Sequence, residues 1–224
     1  MAKIVWDDTG KKFYETGVDH GVFYPQKADG TYDKGVPWNG LTAVNESPSG
    51  AEPNEKYADN ILYAVLRSAE KYESTIEAFT YPDEFAACDG TAEIATGVLI
   101  GGQTRKPFGF CFRTKVGESS AGMDKGYKLH LVYGLTAKPS EKNYETVNED
   151  PDNIQFSWEV TSTPEALDGY QPVSHIVIDS TKADATKLAA LEAKLYGDAS
   201  SEPTLPKPSE VKTLMAAAAS NTEP

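Results

Sequence analysis

Basic clusters, paired cysteines and long apolar runs are all missing from this chain of 224 residues, and each absence excludes a class of protein. A surface that grips phosphate backbones needs clustered Lys and Arg. Here 34 acidic residues outnumber 21 basic ones, for a net charge of −13. The two cysteines, Cys88 and Cys111, have no CxxC pair and no histidine cluster near them in sequence, which argues against zinc or redox chemistry and for free thiols in a reducing compartment. No segment approaches the roughly 20 apolar residues of a membrane span. The opening "MAKIVWDDTG" carries one Lys and no apolar run of signal-peptide length. The expectation is a soluble protein made in the cytoplasm, without membrane contact, and long enough to bury a core without disulfide or metal staples.

Catalytic signals are equally scarce. Only three histidines occur, His20, His130 and His175. His175 lies in the apolar "VSHIVID", where a satisfied core or interface imidazole is a better reading than a general base. Ser119 and Ser120 sit in "VGESSAGMDKG" without the GxSxG context of a nucleophile elbow. "GVLIGGQT" lacks the GxxxxGK[ST] pattern that cradles phosphate. "YADN" at 57–60 and "DPDN" at 150–153 gather oxygen ligands that could hold Ca²⁺, but neither continues into a calcium loop, and turn chemistry explains both. No enzyme, cofactor or metal is expected.

What the sequence has is strand pattern. "NIQFSWEVTS" sets Ile154, Phe156, Trp158 and Val160 against Gln155, Ser157, Glu159 and Thr161. "FGFCFRTKV" alternates Phe108, Phe110 and Phe112 with Gly109, Cys111 and Arg113, and "GYKLHLVYG" alternates Tyr127, Leu129, Leu131 and Tyr133 with Lys128 and His130. "KYADNILYAVL" and "KYESTIEAFTY" read as a hairpin or meander, and "PVSHIVIDS" as a further strand. In "VPWNGLTAVNES", alternate residues Val36, Trp38, Thr42 and Val44 share a side while Leu41 and Ala43 are apolar too, so the segment needs cover on both faces. Two stretches read as helical. "YPDEFAACDG" has Pro82, Asp83 and Glu84 suited to a first turn and Gly90 past its close. "STKADATKLAALEAKLYG" repeats Leu188, Leu191 and Leu195 at helical spacing, predicting a helix over about 182–196 with Ser180 or Thr181 as cap and Gly197 as stop.

These elements predict a mainly antiparallel β-sandwich or barrel with one flanking helix near the C-terminus. Residues 1–35, rich in Gly, Asp, Tyr and Lys with short strand-like pieces "KIVW" and "GVFY", read as a long N-terminal arm or hairpin with too little apolar material to join a core, and 1–198 as one domain with that arm and the helix. Residues 199–224, with Pro203, Pro206, Pro208 and an Ala-rich end, read as an extension, ordered only if it docks. The 12 tyrosines and three tryptophans leave open a sandwich that stacks aromatic rings on a glycan or receptor.

The ordered phrases "GVFY", "GVPWNGLTAVNESPSG", "YADN", "IEAFTYPDEFAACDG", "FGFCFRTKVG", "GYKLHLVYGLTAKPSEKNYETVNE", "QFSWEVTSTP" and "SHIVIDST" together resemble the major tail protein family of long-tailed bacteriophages of Gram-positive hosts, over about 18–210. The resemblance implies a tail-tube subunit of the virion, non-catalytic, in six-membered rings stacked around a tape-measure protein and meeting tail-end proteins, with DNA passing through the lumen unbound. It implies candidate lumen residues among the polar strand positions Glu73, Glu77, Gln155, Ser157 and Glu159, whose negative charge would repel DNA. It implies core or subunit-interface roles for Trp38, Tyr57, Phe85, Phe156 and Trp158.

Overall fold

The structure, a computed structural model, describes residues 4, 6, 11–119, 122–144, 146 and 153–216. The strands in chain order are β1 (Phe13–Pro25), β2 (Val36–Pro37), β3 (Leu41–Glu46), β4 (Ser49–Gly50), β5 (Pro53–Ala58), β6 (Ile61–Arg67), β7 (Glu70–Lys71), β8 (Glu73–Ala78), β9 (Ala92–Ala95), β10 (Val98–Ile100), β11 (Phe108–Glu118), β12 (Gly122–Ala137), β13 (Phe156–Ser162) and β14 (His175–Asp179). A 3-10 turn spans Asp83–Ala87, and the helices are α1 (Ala185–Tyr196) and α2 (Pro208–Met215). The main sheet runs β2-β1-β11-β12-β13-β8-β3, with β14 also paired to β12, and its strands pair antiparallel throughout. The mainly β, sandwich-like architecture is therefore as the alternation predicts.

The central strands β1, β11 and β12 are apolar on both faces because each face meets a separate core. On one side Phe23, Phe110 and Val132 pack with Trp38, Phe85 and Trp158 under the cover of β13, β8 and β3. On the other side Tyr24, Cys111 and Leu131 pack under α1 and α2 through Leu188, Leu191, Leu195 and Val211. Gly134 marks where the sheet divides. Its φ of 58° is left-handed, and the register between β11 and β12 shifts there, so that Leu135 and Ala137 face the first core although Leu131 and Tyr133 face the second. Beyond this bulge β12 pairs with β13; before it, β12 pairs with β14.

Two expectations are corrected, and the conditional one for the extension is met by docking. The arm over 1–35 is, from Phe13 to Pro25, a strand of the main sheet: Val22, Phe23 and Tyr24 are buried opposite Cys111, Phe110 and Gly109. Four consecutive buried residues, Gly21–Tyr24, supply the apolar content that the surrounding polar residues mask in a composition average. The extension after 198 docks on its own domain, burying Leu205 and Val211 in the second core, with Lys194 Nζ 3.6 Å from a Glu210 carboxylate oxygen across α1 and α2. The segment 36–47 is not one strand: Gly40, at φ 75°, turns the chain between β2 and β3, and the cover for Trp38 is the chain's own core.

The helical readings hold with altered ends. Leu188, Leu191 and Leu195 are buried and Gly197 ends α1, but the cap is Asp184, which accepts from the Lys187 amide. Thr181 is taken instead by Asp179, whose side chain accepts from its amide and hydroxyl. "YPDEFAACDG" forms only the 3-10 turn, pinned by fully buried Phe85.

Candidate functional site

All five sequence-predicted lumen residues come from the neighbouring strands β8 and β13, or from just before β13, toward the β3 end of the sheet. The β8–β13 register sets Glu73 opposite Thr161, Thr75 opposite Glu159 and Glu77 opposite Ser157. Period-two alternation then gives Glu73, Glu77, Ser157 and Glu159 one common face, while Trp158 and Ile76 share the buried side. Gln155, just before β13, reaches the same face: its side-chain amide donates to Glu77 Oε2 at 2.7 Å and to Thr42 Oγ1 at 3.2 Å. Asn45 donates to the other Glu77 oxygen at 3.1 Å. Lys138 Nζ lies 3.5 Å from Glu159 and 3.8 Å from Glu73, so two carboxylates share one ammonium, and with Glu77 beside them the face stays net negative.

The candidate core or interface residues divide. Trp38, Phe85 and Trp158 are buried, with ring centres 4.6 Å apart for Trp38 and Phe85 and 5.4 Å for Trp38 and Trp158. Phe156 is half-buried and stacks on Trp158. Tyr57 is not a core residue: it stands 67% exposed on the β5–β6 hairpin. That hairpin pairs only with itself among the described residues. Its turn is "YADN", where Asp59 and Asn60 take φ of 53° and 64°, the left-handed pair of a type I′ turn. On β6 a bulge at Tyr63 breaks the alternation, so that the register sets Ile61 and Leu66 on one face and Leu62 and Val65 on the other, and these four and Tyr63 are all exposed. The β9–β10 hairpin is similar, with Ile94, Val98, Leu99 and Ile100 facing outward. Of "DPDN", residues 150–152 lie outside the described residues, as does Ser120; Ser119 is exposed beyond the end of β11.

One cluster was not foreseen. His130 on β12 and His175 at the start of β14 come together with Glu46 at the end of β3, in the fork where β14 and the β13–β8–β3 layer part from β12. His130 Nδ1 and His175 Nε2 are 3.1 Å apart, and Glu46 Oε1 lies 4.0 Å from His130 Nδ1 and 3.6 Å from His175 Nδ1. His130 stacks on Phe112 at 4.5 Å, and its Nε2 is 3.0 Å from Thr114 Oγ1. Burial, reinforced by the neighbouring His175, pushes the His130 imidazole down to about 4. Burial likewise lowers His175, against the pull of Glu46. His175 is thus the packed imidazole that its apolar context predicts, lying against Tyr72. The signal for Glu46 was its phase: it falls on the same face of β3 as Val44, opposite Ser74, where a carboxylate needs a partner. His20 stands apart, exposed beside Asp19.

No helix among the described residues is long and apolar enough to cross a membrane. A scan against protein-family models finds no match to the chain, and a search of curated proteins finds none either.

Proposed function

We propose that the chain is a structural subunit that polymerises with copies of itself, the major tail-tube subunit of a virion that its ordered phrases resemble, without catalytic activity. The observation that carries the reading is the β5–β6 hairpin. An isolated two-stranded hairpin is marginal in water, and this one exposes large apolar side chains on both faces. Contiguous exposed apolar surface marks a protein contact. A second copy of the chain is the natural cover, because a subunit that repeats in a ring and along a tube meets copies of itself on every side. The sheet's pairing order also ends at β3, an edge strand that a ring neighbour could extend in a tube. The acidic face of β8 and β13 then lines the lumen and keeps DNA from adhering as it passes.

The aromatic-groove alternative has less support. A sugar platform needs open ring faces side by side; Trp38 and Trp158 are 2% and 0% exposed, and of the most exposed rings, Trp6, Tyr57, Tyr63, Tyr144 and Tyr170, only Tyr57 and Tyr63 share an element, the β5–β6 hairpin. Sedimentation and negative-stain microscopy across a concentration series test the proposal. Rings or tubes are expected, and Tyr63→Glu with Leu66→Glu should abolish them without altering circular dichroism. A chain that stays monomeric at every concentration and binds a defined sugar would overturn the reading.

A further inference from the structure

We infer that Glu46, His130 and His175 form a binding site for a divalent ion of the zinc class, one that clips the end of β3 to β14 and β12. The inference rests on the geometry of the trio and is independent of tube assembly.

The two imidazoles already have the spacing of ligands on one ion. With zinc–nitrogen bonds of about 2.0–2.1 Å at a tetrahedral angle, the nitrogens lie about 3.3 Å apart and the ring centres about 5.2 Å apart. His130 Nδ1 and His175 Nε2 are 3.1 Å apart, and the ring centres 5.2 Å. One ligand atom from each of the three residues lies within 4.8 Å of the others. The Glu46 side chain is 39% exposed, which leaves room for a small rotation that brings its carboxylate, 4.0 Å from His130 Nδ1, onto the ion.

The surroundings match those of built metal sites, where a histidine's second nitrogen is held by a hydrogen bond. Thr114 holds His130, and the Tyr72 hydroxyl, 3.4 Å from Glu46 Oε1, steadies the carboxylate. Two imidazoles and one carboxylate suit zinc better than calcium or magnesium, and three protein ligands leave a fourth position for water.

The test is isothermal titration of the full chain with ZnCl₂, with Co²⁺ as a spectroscopic substitute. One ion per chain is expected, with a rise in melting temperature and the visible absorption of a tetrahedral Co²⁺ centre. Glu46→Gln and His175→Gln should each weaken zinc binding about tenfold or more, and Thr114→Val, which touches no ligand position directly, about tenfold. The exposed Glu46 side chain makes Glu46→Gln the variant that keeps its fold, checked by circular dichroism. Absence of stoichiometric binding to the wild type, or binding unchanged in folded Glu46→Gln, overturns the inference.

Discussion

Phe23 and Phe13 are the same residue type on the same strand, and truncating each to Ala separates a core strand from a loose arm. Phe23 is 0% exposed and meets three rings, those of Phe85 at 5.5 Å, Phe108 at 5.4 Å and Trp38 at 6.3 Å. The Phe85 and Trp38 contacts are near-perpendicular, the arrangement that adds to simple burial. Phe23→Ala should therefore cost about 3–5 kcal/mol, the range for a buried Phe whose cavity the neighbours cannot fill. In a domain of this size that lowers the melting temperature by about 10 °C. Phe13, 56% exposed under the ammonium of Lys125, should change stability by no more than about 0.5 kcal/mol on truncation. Urea denaturation followed by tryptophan fluorescence measures both, since Trp38 and Trp158 lie in the same core as Phe23. Equal and small effects at the two positions would refute the placement of Val22 to Tyr24 in the core and restore the peripheral arm.

Gly134→Ala should cost about 2–5 kcal/mol, because a Cβ there lies 2.4 Å from the Thr163 carbonyl oxygen and φ is 58°; a thermal melt unchanged from wild type would refute the bulge. Burial pushes the thiols of Cys88 and Cys111 up to about 12, so both stay protonated and poorly nucleophilic at pH 8. Both should resist a thiol reagent in the native protein and react fully in denaturant, and fast native labelling would count against the two-core arrangement. Replacing Glu73, Glu77 and Glu159 with Lys should leave the fold intact, since all three occupy the solvent side of the sheet; under the proposed tail-tube function it should also make the tube retain DNA, and normal ejection by phage carrying the variant would count against the proposed lumen face.

Much of the body was legible because period-two alternation is a local property. The face of β13 could be read from "QFSWEVTS" alone, and the leucine stripe of α1 from three residues at helical spacing. What could not be read depends on partners distant in sequence. Phe108, Phe110 and Phe112 predict one apolar face of β11, but whether Cys111 on the other face meets solvent or α1 depends on Tyr196, 85 residues away. The arm was misread because its core residues, Gly21–Tyr24, form a run without alternation inside a polar stretch, which is how a strand covered on both faces looks. The histidine pair was hidden for a related reason: His130 and His175 are 45 residues apart and meet only because β14 returns to pair with β12.

The requirement for cover on both faces, first suggested by "VPWNGLTAVNES", belongs to "ILYAVLR" instead. Trp38 finds its cover within the chain, whereas Ile61, Leu62, Tyr63, Val65 and Leu66 find none among the described residues. Burying one such large side chain contributes about 1.5–3 kcal/mol, so the five together offer on the order of 10 kcal/mol to a partner. Joining two molecules costs about 4–15 kcal/mol in lost freedom and ordering. A single hairpin contact is therefore close to break-even, and a pair of subunits should separate readily. In a ring or a stack, each subunit makes several such contacts while its freedom is lost only once, so the balance shifts toward assembly as neighbours accumulate. On the proposed reading such a subunit stays dispersed when dilute, assembles above a threshold concentration or on a nucleus that supplies several contacts together, and then adds cooperatively. That is the behaviour a tube needs if it is to grow only where the virion starts it.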